Sequence, residues 1–470
     1  MGTLYVLPWL YDEFVQGESL FFFISKTLSH MKIHSKFDYP VILVDRSRTV
    51  HLVTRLEASK VEAKERAPIS FSVVLDRSGS MSGAPLAKAR KACEGVVKNL
   101  RAEDSFSLVI FDDEAEVVIP QSTLGDREEA LRRIRSIRSR GCTNLTGGWM
   151  QGADELRTTP ADWPRRLLLL SDGLLNQGIT ELGQVRAIVA KGLEEDGIRT
   201  SCLGFGDHYD EELLADLAQV TNGNFYDVAS EDVLPPIFAA ELDGLRSLSA
   251  GNVRMRVKAS LACSSWEALD DLPLVSRPNG WVELGVGDLV SEEERSLVLS
   301  LKLAAIPYKD VADSVEILET EFLWDALGGE LPVSSVERLA CSIRATLDEG
   351  EVRREPETLD VLARQLAGRT MRWADELTRE GGTEEALRLL RERVEELQTW
   401  ESSEGVREAL AALGRAIEEV TRWDVRSRKS LRYRSKSYLK HSSSEVWSSV
   451  DEIAPAYKLI HLEDYSDEEL

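Results

Sequence analysis

Five residues with oxygen-bearing side chains lie in three short, widely separated segments of this chain. Asp76, Ser78 and Ser80 belong to Asp-Arg-Ser-Gly-Ser, Thr143 lies in a glycine-containing loop, and Asp172 belongs to Ser-Asp-Gly. Together they offer three hydroxyls and two carboxylates, with no imidazole or thiolate. This is the ligand chemistry of a hard divalent ion, Mg²⁺ before Mn²⁺ or Ca²⁺. Because the set contains no paired base and nucleophile, it predicts a binding site rather than an enzyme.

Each carboxylate follows a short apolar run of the kind that forms a buried strand. Asp76 comes directly after residues 69–75, and Asp172 follows residues 167–170 by one serine. In open α/β sheets the carboxyl ends of neighbouring strands form the ligand-binding crevice, so we expect the two carboxylates to converge there. A divalent cation would relieve their repulsion. With only two carboxylates the ion stays electrophilic and favours an external anionic oxygen.

Apolar runs alternate with helical patterns between residues 68 and 248. The strand-like runs are 69–75, 106–111, 167–170 and 198–205, and the helical segments are 84–100, 126–138, 181–195 and 210–220. This alternation predicts right-handed βαβ units and a mostly parallel sheet covered on both faces. The fold class of this region is therefore a doubly wound α/β domain.

The regions on either side of the α/β pattern alternate with a period of two. Residues 49–58 place apolar side chains on one face and polar ones on the other, and residues 252–325 contain four further segments of this kind. This pattern predicts an antiparallel, β-sandwich-like module. We expect the strands at 41–58 to join it, which would make the α/β domain an insertion. The hypothesis fails if residues 49–58 extend the α/β sheet instead.

Helical spacing returns near the C-terminal end of the chain. Residues 356–424 predict a helical hairpin or three-helix cluster, because short loops connect the segments. The predicted segments are 1–30 (a possible N-terminal extension), 31–66 (strands joining the sandwich), 67–248 (the α/β domain), 249–340 (the β-sandwich-like module), 355–424 (the helical hairpin or bundle) and 425–470 (a basic and then acidic tail).

Residues 69–245 resemble a von Willebrand factor type A domain. The five oxygen-bearing residues match the metal-ion-dependent adhesion site of that family in all three segments. The resemblance implies a doubly wound sheet with one antiparallel edge strand. It implies Ser78 and Ser80 as direct ligands, with the other three residues ligating directly or through water. It also implies that the Asp or Glu carboxylate of a partner protein completes the octahedron.

The threonine of the motif is assigned to Thr143 and not to Thr146, because Thr143 follows Gly141 by two positions. Cys142 stands where the family usually has a small or apolar residue, and we do not expect it to bind the metal. The regions flanking the type A domain resemble, more weakly, bacterial proteins related in that domain to calcium-activated chloride-channel regulators. No channel is implied, because no apolar stretch reaches the roughly 18 residues of a membrane helix.

The composition of the chain indicates which classes of partner and which cellular compartment to expect. The chain has 470 residues, of which 43% are hydrophobic and 29% charged, and its net charge is −24. Such a charge argues against nucleic-acid and anionic-membrane partners. The five cysteines are scattered without a C-x-x-C pair, and no secretory signal is evident. Both features favour reduced thiols and a cytoplasmic location.

Four other features have a structural interpretation beside a functional one. Asp112-Asp113-Glu114 predicts a solvated turn rather than a second cation site, and Trp149 either rims the metal site or packs beneath its loop. Asp207-His208 predicts a surface loop, although His208 could line the rim of the crevice. The basic residues 426–440 favour packing against the acidic body or an acidic partner over nucleic-acid binding.

These observations favour a Mg²⁺-dependent protein-interaction module, acting as a scaffold in a bacterial regulatory or stress system. One alternative is a metal-dependent hydrolase or phosphotransferase, which the three motif segments disfavour because they contain no histidine to act as general base. The other alternative is an extracellular adhesin, which the unpaired cysteines and the N-terminal sequence disfavour.

Overall fold

The computed structural model describes residues 31–61, 68–172, 175–205, 209–228, 234–270, 272–307, 314–327, 333–423 and 425–439. The predicted N-terminal extension and the acidic end of the chain lie outside these ranges. The described residues form a mixed α/β sheet with its helices, two antiparallel-rich sheets, and a C-terminal group of helices.

Three strands precede the α/β unit in the chain. They are β1 (Met31–Phe37), β2 (Val41–Leu43) and β3 (Arg48–Ala58). β3 buries Val50 and Leu52 on one face and carries the partly exposed His51 and Arg55 on the other, as its alternation predicts. β1 pairs with β3 in antiparallel fashion.

The α/β unit follows from Ser70 to Arg246. Its elements are β4 (Ser70–Asp76), α1 (Ala84–Asn99), β5 (Ser105–Phe111), β6 (Ala115–Thr123), α2 (Arg127–Ser136), α3 (Leu145–Arg157), β7 (Arg165–Ser171), α4 (Leu182–Asp196), β8 (Ile198–Phe205), α5 (Glu211–Val220), β9 (Phe225–Val228) and α6 (Leu234–Arg246). The strand order is β6-β5-β4-β7-β8-β9. Of these six strands, β6 runs antiparallel to β5 and the other pairs are parallel. The doubly wound, mostly parallel sheet is therefore confirmed.

Helices cover both faces of this sheet. The side chains of α1, α2 and α6 pack in one hydrophobic core, and those of α3, α4 and α5 pack in a second core on the opposite face. Every residue of β4, β5, β7 and β8 is buried as a result. A strand with both faces buried has apolar residues at successive positions. This explains the continuous apolar runs in the sequence of this region.

The next strands return to the module begun by β1–β3. They are β10 (Leu248–Ala259), β11 (Cys263–Ala268), β12 (Leu274–Ser276), β13 (Val282–Val290), β14 (Glu294–Leu303), β15 (Val315–Ala326) and β16 (Val333–Thr346). One sheet has the order β1-β3-β14-β11 and the other β12-β13-β10-β15-β16-β2, with one hydrophobic core between them. β3 pairs with β14, with Val53 opposite Val298. β3 thus extends the sandwich and not the α/β sheet, so the α/β unit is inserted between β3 and β10.

Helices at the end of the chain cover the outer face of the four-stranded sheet. They are α7 (Leu359–Arg379), α8 (Thr383–Gln398), α9 (Glu404–Arg422) and α10 (Val425–Leu439). Leu362 and Leu366 of α7 pack against Val53 and Val298. Burial of these apolar side chains joins the helical layer to the sandwich.

The first part of the predicted basic tail, Val425–Leu439, forms the α10 helix. Leu431 is completely buried, and Arg432 pairs with Glu211 of the α/β unit at 3.2 Å. Arg434 pairs with Glu419 of α9 at 2.7 Å. The basic segment therefore packs against the acidic body of the protein, which is the interpretation that the sequence favoured.

Candidate metal-binding site

The carboxyl ends of β4 and β7 lie side by side near the middle of the α/β sheet. The two strands are parallel neighbours, with Leu75 opposite Leu170. Asp76 ends β4 and Asp172 comes directly after β7, so both reach the same crevice. This is the switch point of the sheet, since β5 and β6 lie on one side of β4 and β7 to β9 on the other.

Three side-chain oxygens form a compact triangle in this crevice. Ser78 Oγ lies 3.1 Å from Ser80 Oγ. Asp172 Oδ1 accepts hydrogen bonds from Ser80 Oγ at 2.8 Å and from Ser78 Oγ at 3.4 Å. Adjacent ligands of an octahedral Mg²⁺ are about 2.9 Å apart, given metal–oxygen distances of about 2.0–2.1 Å. The triangle therefore has nearly the dimensions of one octahedral face, and its hydroxyl and carboxylate oxygens fit a hard divalent ion.

Asp76 lies beneath this triangle and is completely buried. Its Oδ1 accepts the backbone N–H of Ser78 at 2.8 Å, and its Oδ2 accepts the hydroxyl of Ser171 at 2.7 Å. Burial, with a smaller contribution from the charge of Asp172, raises the pKa of Asp76 to about 6 despite these hydrogen bonds. Burial also raises the pKa of Asp172. Both carboxylates are thus costly to ionise, and a bound cation would offset that cost.

Thr143 lies on the loop between α2 and α3, next to the serine segment. The loop turns at Gly141, where φ is 74°, and Gly79 N donates to Gly141 O at 3.3 Å. Thr143 is buried, and its backbone N–H donates to Asn176 Oδ1 at 3.1 Å. The structure therefore places the threonine segment beside the other two predicted segments.

The turn after β4 contains two glycines, Gly79 and Gly83, and only one of them needs the conformational freedom of glycine. Gly83 has a φ of 87°, in the left-handed region that favours glycine. Gly79 instead begins a short 3₁₀ turn, Gly79–Met81. Helix α1 starts immediately after Gly83 with Pro85 in its first turn, where the fixed φ of proline suits a helix.

Asp112 is buried, which corrects the prediction of a solvated turn. Its Oδ2 accepts hydrogen bonds from Arg77 Nε at 2.6 Å and from Arg140 Nε at 2.7 Å. Burial would raise the pKa of Asp112, but the two arginines and the backbone N–H of Glu114 outweigh it and lower that pKa. Asp112 is therefore the buried, ionised centre of a charge cluster.

This cluster connects two segments of the metal site. Arg77 lies within the Asp-Arg-Ser-Gly-Ser segment, and Arg140 comes immediately before the loop of Thr143. Arg140 N also donates to Arg77 O at 2.8 Å. The contact holds the two segments together without using a metal ligand. No local pattern indicates this cluster, because 35 residues separate Arg77 from Asp112.

Other residues near the site have structural positions. Trp149 is 1% exposed and its Nε1 donates to Thr200 Oγ1 at 2.9 Å, so it packs in the core and does not rim the crevice. Cys142 is exposed, and its backbone N–H donates to Asp113 Oδ1. Asp207 and His208 lie outside the described residues, so their loop stays a prediction.

Within the described ranges, no three His, Cys, Asp or Glu side chains are grouped so that they could hold a metal. A site built on Asp76 and Asp172 would therefore require the serine and threonine hydroxyls. Over the same part of the chain, no helix combines the length and apolar character needed to cross a bilayer.

Comparison with known families agrees with this geometry. Residues 72–240 match the family model of the von Willebrand factor type A domain. The match covers β4 to β9 and thus all three segments of the candidate site.

Relatives match part of the chain. Uncharacterized protein sll0103 of Synechocystis sp. is 25% identical over 264 residues, which cover 54% of this chain and 61% of that protein. Inter-alpha-trypsin inhibitor heavy chain H3 of Mesocricetus auratus is 27% identical over 165 residues, which cover 33% of this chain and 18% of that protein. The chain spans less than two thirds of the length of these relatives.

Solved structures share more than the α/β unit. A von Willebrand factor type A protein from Catenulispora acidiphila superposes with a TM-score of 0.66 at 14% identity, covering 88% of this chain and 97% of that one. The ArnB paralog VWA2 from Sulfolobus acidocaldarius gives a TM-score of 0.58 at 16% identity, covering 87% and 98%. At these identities the likeness concerns the fold alone.

Proposed function

We propose that the von Willebrand factor type A domain in this chain binds Mg²⁺ and through it captures a carboxylate of a partner protein. Domains of this family mediate protein–protein interactions, generally with a metal. The observation that carries the proposal is the oxygen triangle of Ser78, Ser80 and Asp172, whose edges of 3.1, 2.8 and 3.4 Å suit an octahedral ion.

Each residue has a defined part in this proposal. Ser78, Ser80 and Asp172 bind the ion directly, while Asp76 and Thr143 bind it directly or through water. Asp76 also holds the backbone N–H of Ser78, which fixes the serine segment against β4. The ion supplies an electrophilic position that an Asp or Glu oxygen from the partner fills. Mn²⁺ or Ca²⁺ could replace Mg²⁺ in the same oxygen set.

The proposal is for binding without catalysis. The hydrogen bonds described for the side chains of Asp76, Ser78, Ser80 and Asp172 join them to Ser, Asp and backbone groups, and none of these partners is an imidazole, thiol or amine. We propose that the sandwich and the helices present this site as a scaffold. Free thiols at all five cysteines support a reducing compartment, and we propose the cytoplasm. The resemblance to chloride-channel regulators stays a prediction.

Water-proton relaxation with Mn²⁺ as the probe ion tests carboxylate capture. Mn²⁺ bound in the site with open positions should enhance the relaxation of water. A short glycine peptide with a central Glu should reduce this enhancement by displacing water, whereas the matched Gln peptide should not. Equal effects of the two peptides would contradict carboxylate capture.

Two variants test whether the relaxation signal depends on an ion bound at the predicted ligands. Asp172→Asn should remove the Mn²⁺-dependent enhancement, because it removes one of two carboxylates. Ser82→Ala is the matched control, since Ser82 is exposed in the same segment and outside the ligand set. Retained enhancement in Asp172→Asn would overturn the metal assignment itself.

A further inference from the structure

A cavity of about 350 Å³ lies where the four-stranded sheet of the sandwich meets the C-terminal helices. Residues of β3, β11 and β14 form one wall, and residues of α7 and α8 form the other. The cavity is separate from the metal site, because none of its lining residues belongs to the α/β unit. Its volume is in the range of small-molecule sites.

Two arginines line this cavity without a carboxylate partner among the described residues. Arg48 stacks on Tyr39, with its Cζ 3.6 Å from the ring centroid. Arg354 lies 5.0 Å from the same centroid and 3.8 Å from the centroid of Trp400. The two guanidinium groups are thus held near one aromatic ring although their charges repel.

The remaining charges of the cavity are largely paired with one another. Arg393 pairs with Glu396, and Arg369 lies 3.9 Å from Glu267. Asp38, which is buried, lies 3.0 Å from Nδ1 of His51. The lining therefore holds four arginines against three carboxylates, and neither stacked arginine is paired with a carboxylate in the described wall. The net charge of the chain is −24, so a local excess of positive charge is unexpected. Binding of an anion in the cavity would account for it.

A hydrogen-bonding argument leads to the same conclusion. Stacking occupies the faces of a guanidinium group and leaves its in-plane N–H groups able to donate. The Nε of Arg354 is buried and has no hydrogen-bond partner among the described atoms. A buried donor of this kind costs free energy until an acceptor binds to it.

We infer that this cavity binds a small phosphate monoester. A phosphate group carries a charge of about −1.5 to −2 at neutral pH and matches the two unpaired guanidinium groups. Arginine also donates to phosphate oxygens in pairs. The cavity is larger than a bare phosphate needs, and Trp373 beside it offers an apolar surface for the organic part.

Calorimetric titration of the full chain with phenyl phosphate tests this inference. EDTA in the buffer keeps phosphate from binding through a metal ion, so the result does not depend on the proposed function. We expect binding with one site per chain. Arg354→Gln and Arg48→Gln should each lower the affinity about tenfold or more, since a hydrogen bond to a charged group is worth about 1.5–3 kcal/mol.

Arg391→Gln is the matched control, because Arg391 is exposed on α8 outside the cavity and its loss changes the net charge equally. It should leave the affinity within about twofold. If one cavity variant fails to fold, the other decides, because Arg48 begins β3 and Arg354 lies in the segment between β16 and α7.

Comparing inorganic phosphate with phenyl phosphate distinguishes a site for the free ion from a site for an organic ester. Inorganic phosphate binding as tightly as phenyl phosphate would support a site for the free ion, and weaker binding would support an organic ester. The inference is overturned if neither phosphate binds at millimolar concentration, if the variants bind unchanged, or if singly charged benzoate binds equally well. Binding of a phosphoserine peptide without binding of either small phosphate would also overturn it.

Discussion

Asp270 provides a test of how the helices are joined to the sandwich. It follows β11, and its Oδ2 accepts the backbone N–H of Val298 in β14 at 2.8 Å. Its Oδ1 accepts Gln365 Nε2 of α7, also at 2.8 Å. Burial raises the pKa of Asp270 to about 7, although these hydrogen bonds and the charge of Arg295 oppose the shift. The carboxyl group is therefore protonated in the folded protein at pH values where it ionises in the unfolded chain.

The sign and size of the effect follow from linkage. Between pH 5 and pH 7 the folded state binds a proton that the unfolded state, with a pKa near 3.8, has already released. Stability from this proton is fully present below the unfolded pKa and is lost as the pH rises through the folded pKa. About two pH units at about 1.4 kcal/mol each give a loss of about 2.7 kcal/mol from pH 5 to pH 8.

Urea denaturation at pH 5 and pH 8 measures this difference. Asp270→Asn cannot ionise, and it keeps an oxygen that can accept from Val298. We expect the unmodified chain to lose about 2.7 kcal/mol more than this variant between the two pH values. Other titrating groups, including Asp76, contribute equally to both chains and cancel. Asp162→Asn, an exposed control, should behave as the unmodified chain does. Equal pH dependence in Asp270→Asn would refute the reasoning.

Two further predictions concern the α/β unit, and urea denaturation checks both. Asp112→Ala removes the main counter-charge of the buried Arg77 and should lower the free energy of unfolding by about 3 kcal/mol; an unchanged stability would contradict the charge cluster. Gly223→Ala would place Cβ 2.0 Å from the carbonyl oxygen of Thr200 and should cost more than about 2 kcal/mol. Gly95→Ala, in α1 with nothing within 4 Å, should instead gain about 0.5–1 kcal/mol; similar effects of the two glycine substitutions would argue against this packing.

The sequence predicted the architecture well where local pattern decides the outcome. The buried strands of the α/β sheet are continuous apolar runs because helices cover both faces, and β3 alternates because only one of its faces lies in the sandwich core. The grouping of Asp76 with Asp172 also followed from topology, since both end neighbouring parallel strands. These features depend on backbone geometry that the residue pattern itself specifies.

Predictions from the sequence were wrong or missing where residues far apart in the chain determine the surroundings of a side chain. Three consecutive acids beginning at Asp112 indicate a solvated turn, but Arg77 and Arg140 from other segments bury the first of them. Helix α10 is mostly basic and polar, so its apolar contacts through Leu431 gave little periodic signal. The arginine-lined cavity likewise brings together residues that lie far apart in the chain, such as Arg48 and Arg354. Contacts between residues far apart in the chain produce no local sequence pattern.

Calorimetric titration of Mg²⁺ into the purified chain tests the central claim most directly. We predict one Mg²⁺ site in the unmodified chain and in Ser82→Ala. We predict no binding in Asp172→Ala and strongly weakened binding in Ser80→Ala, with the circular dichroism spectrum of each variant unchanged. Full Mg²⁺ binding by a folded Asp172→Ala variant would show that the oxygen triangle is not a metal site.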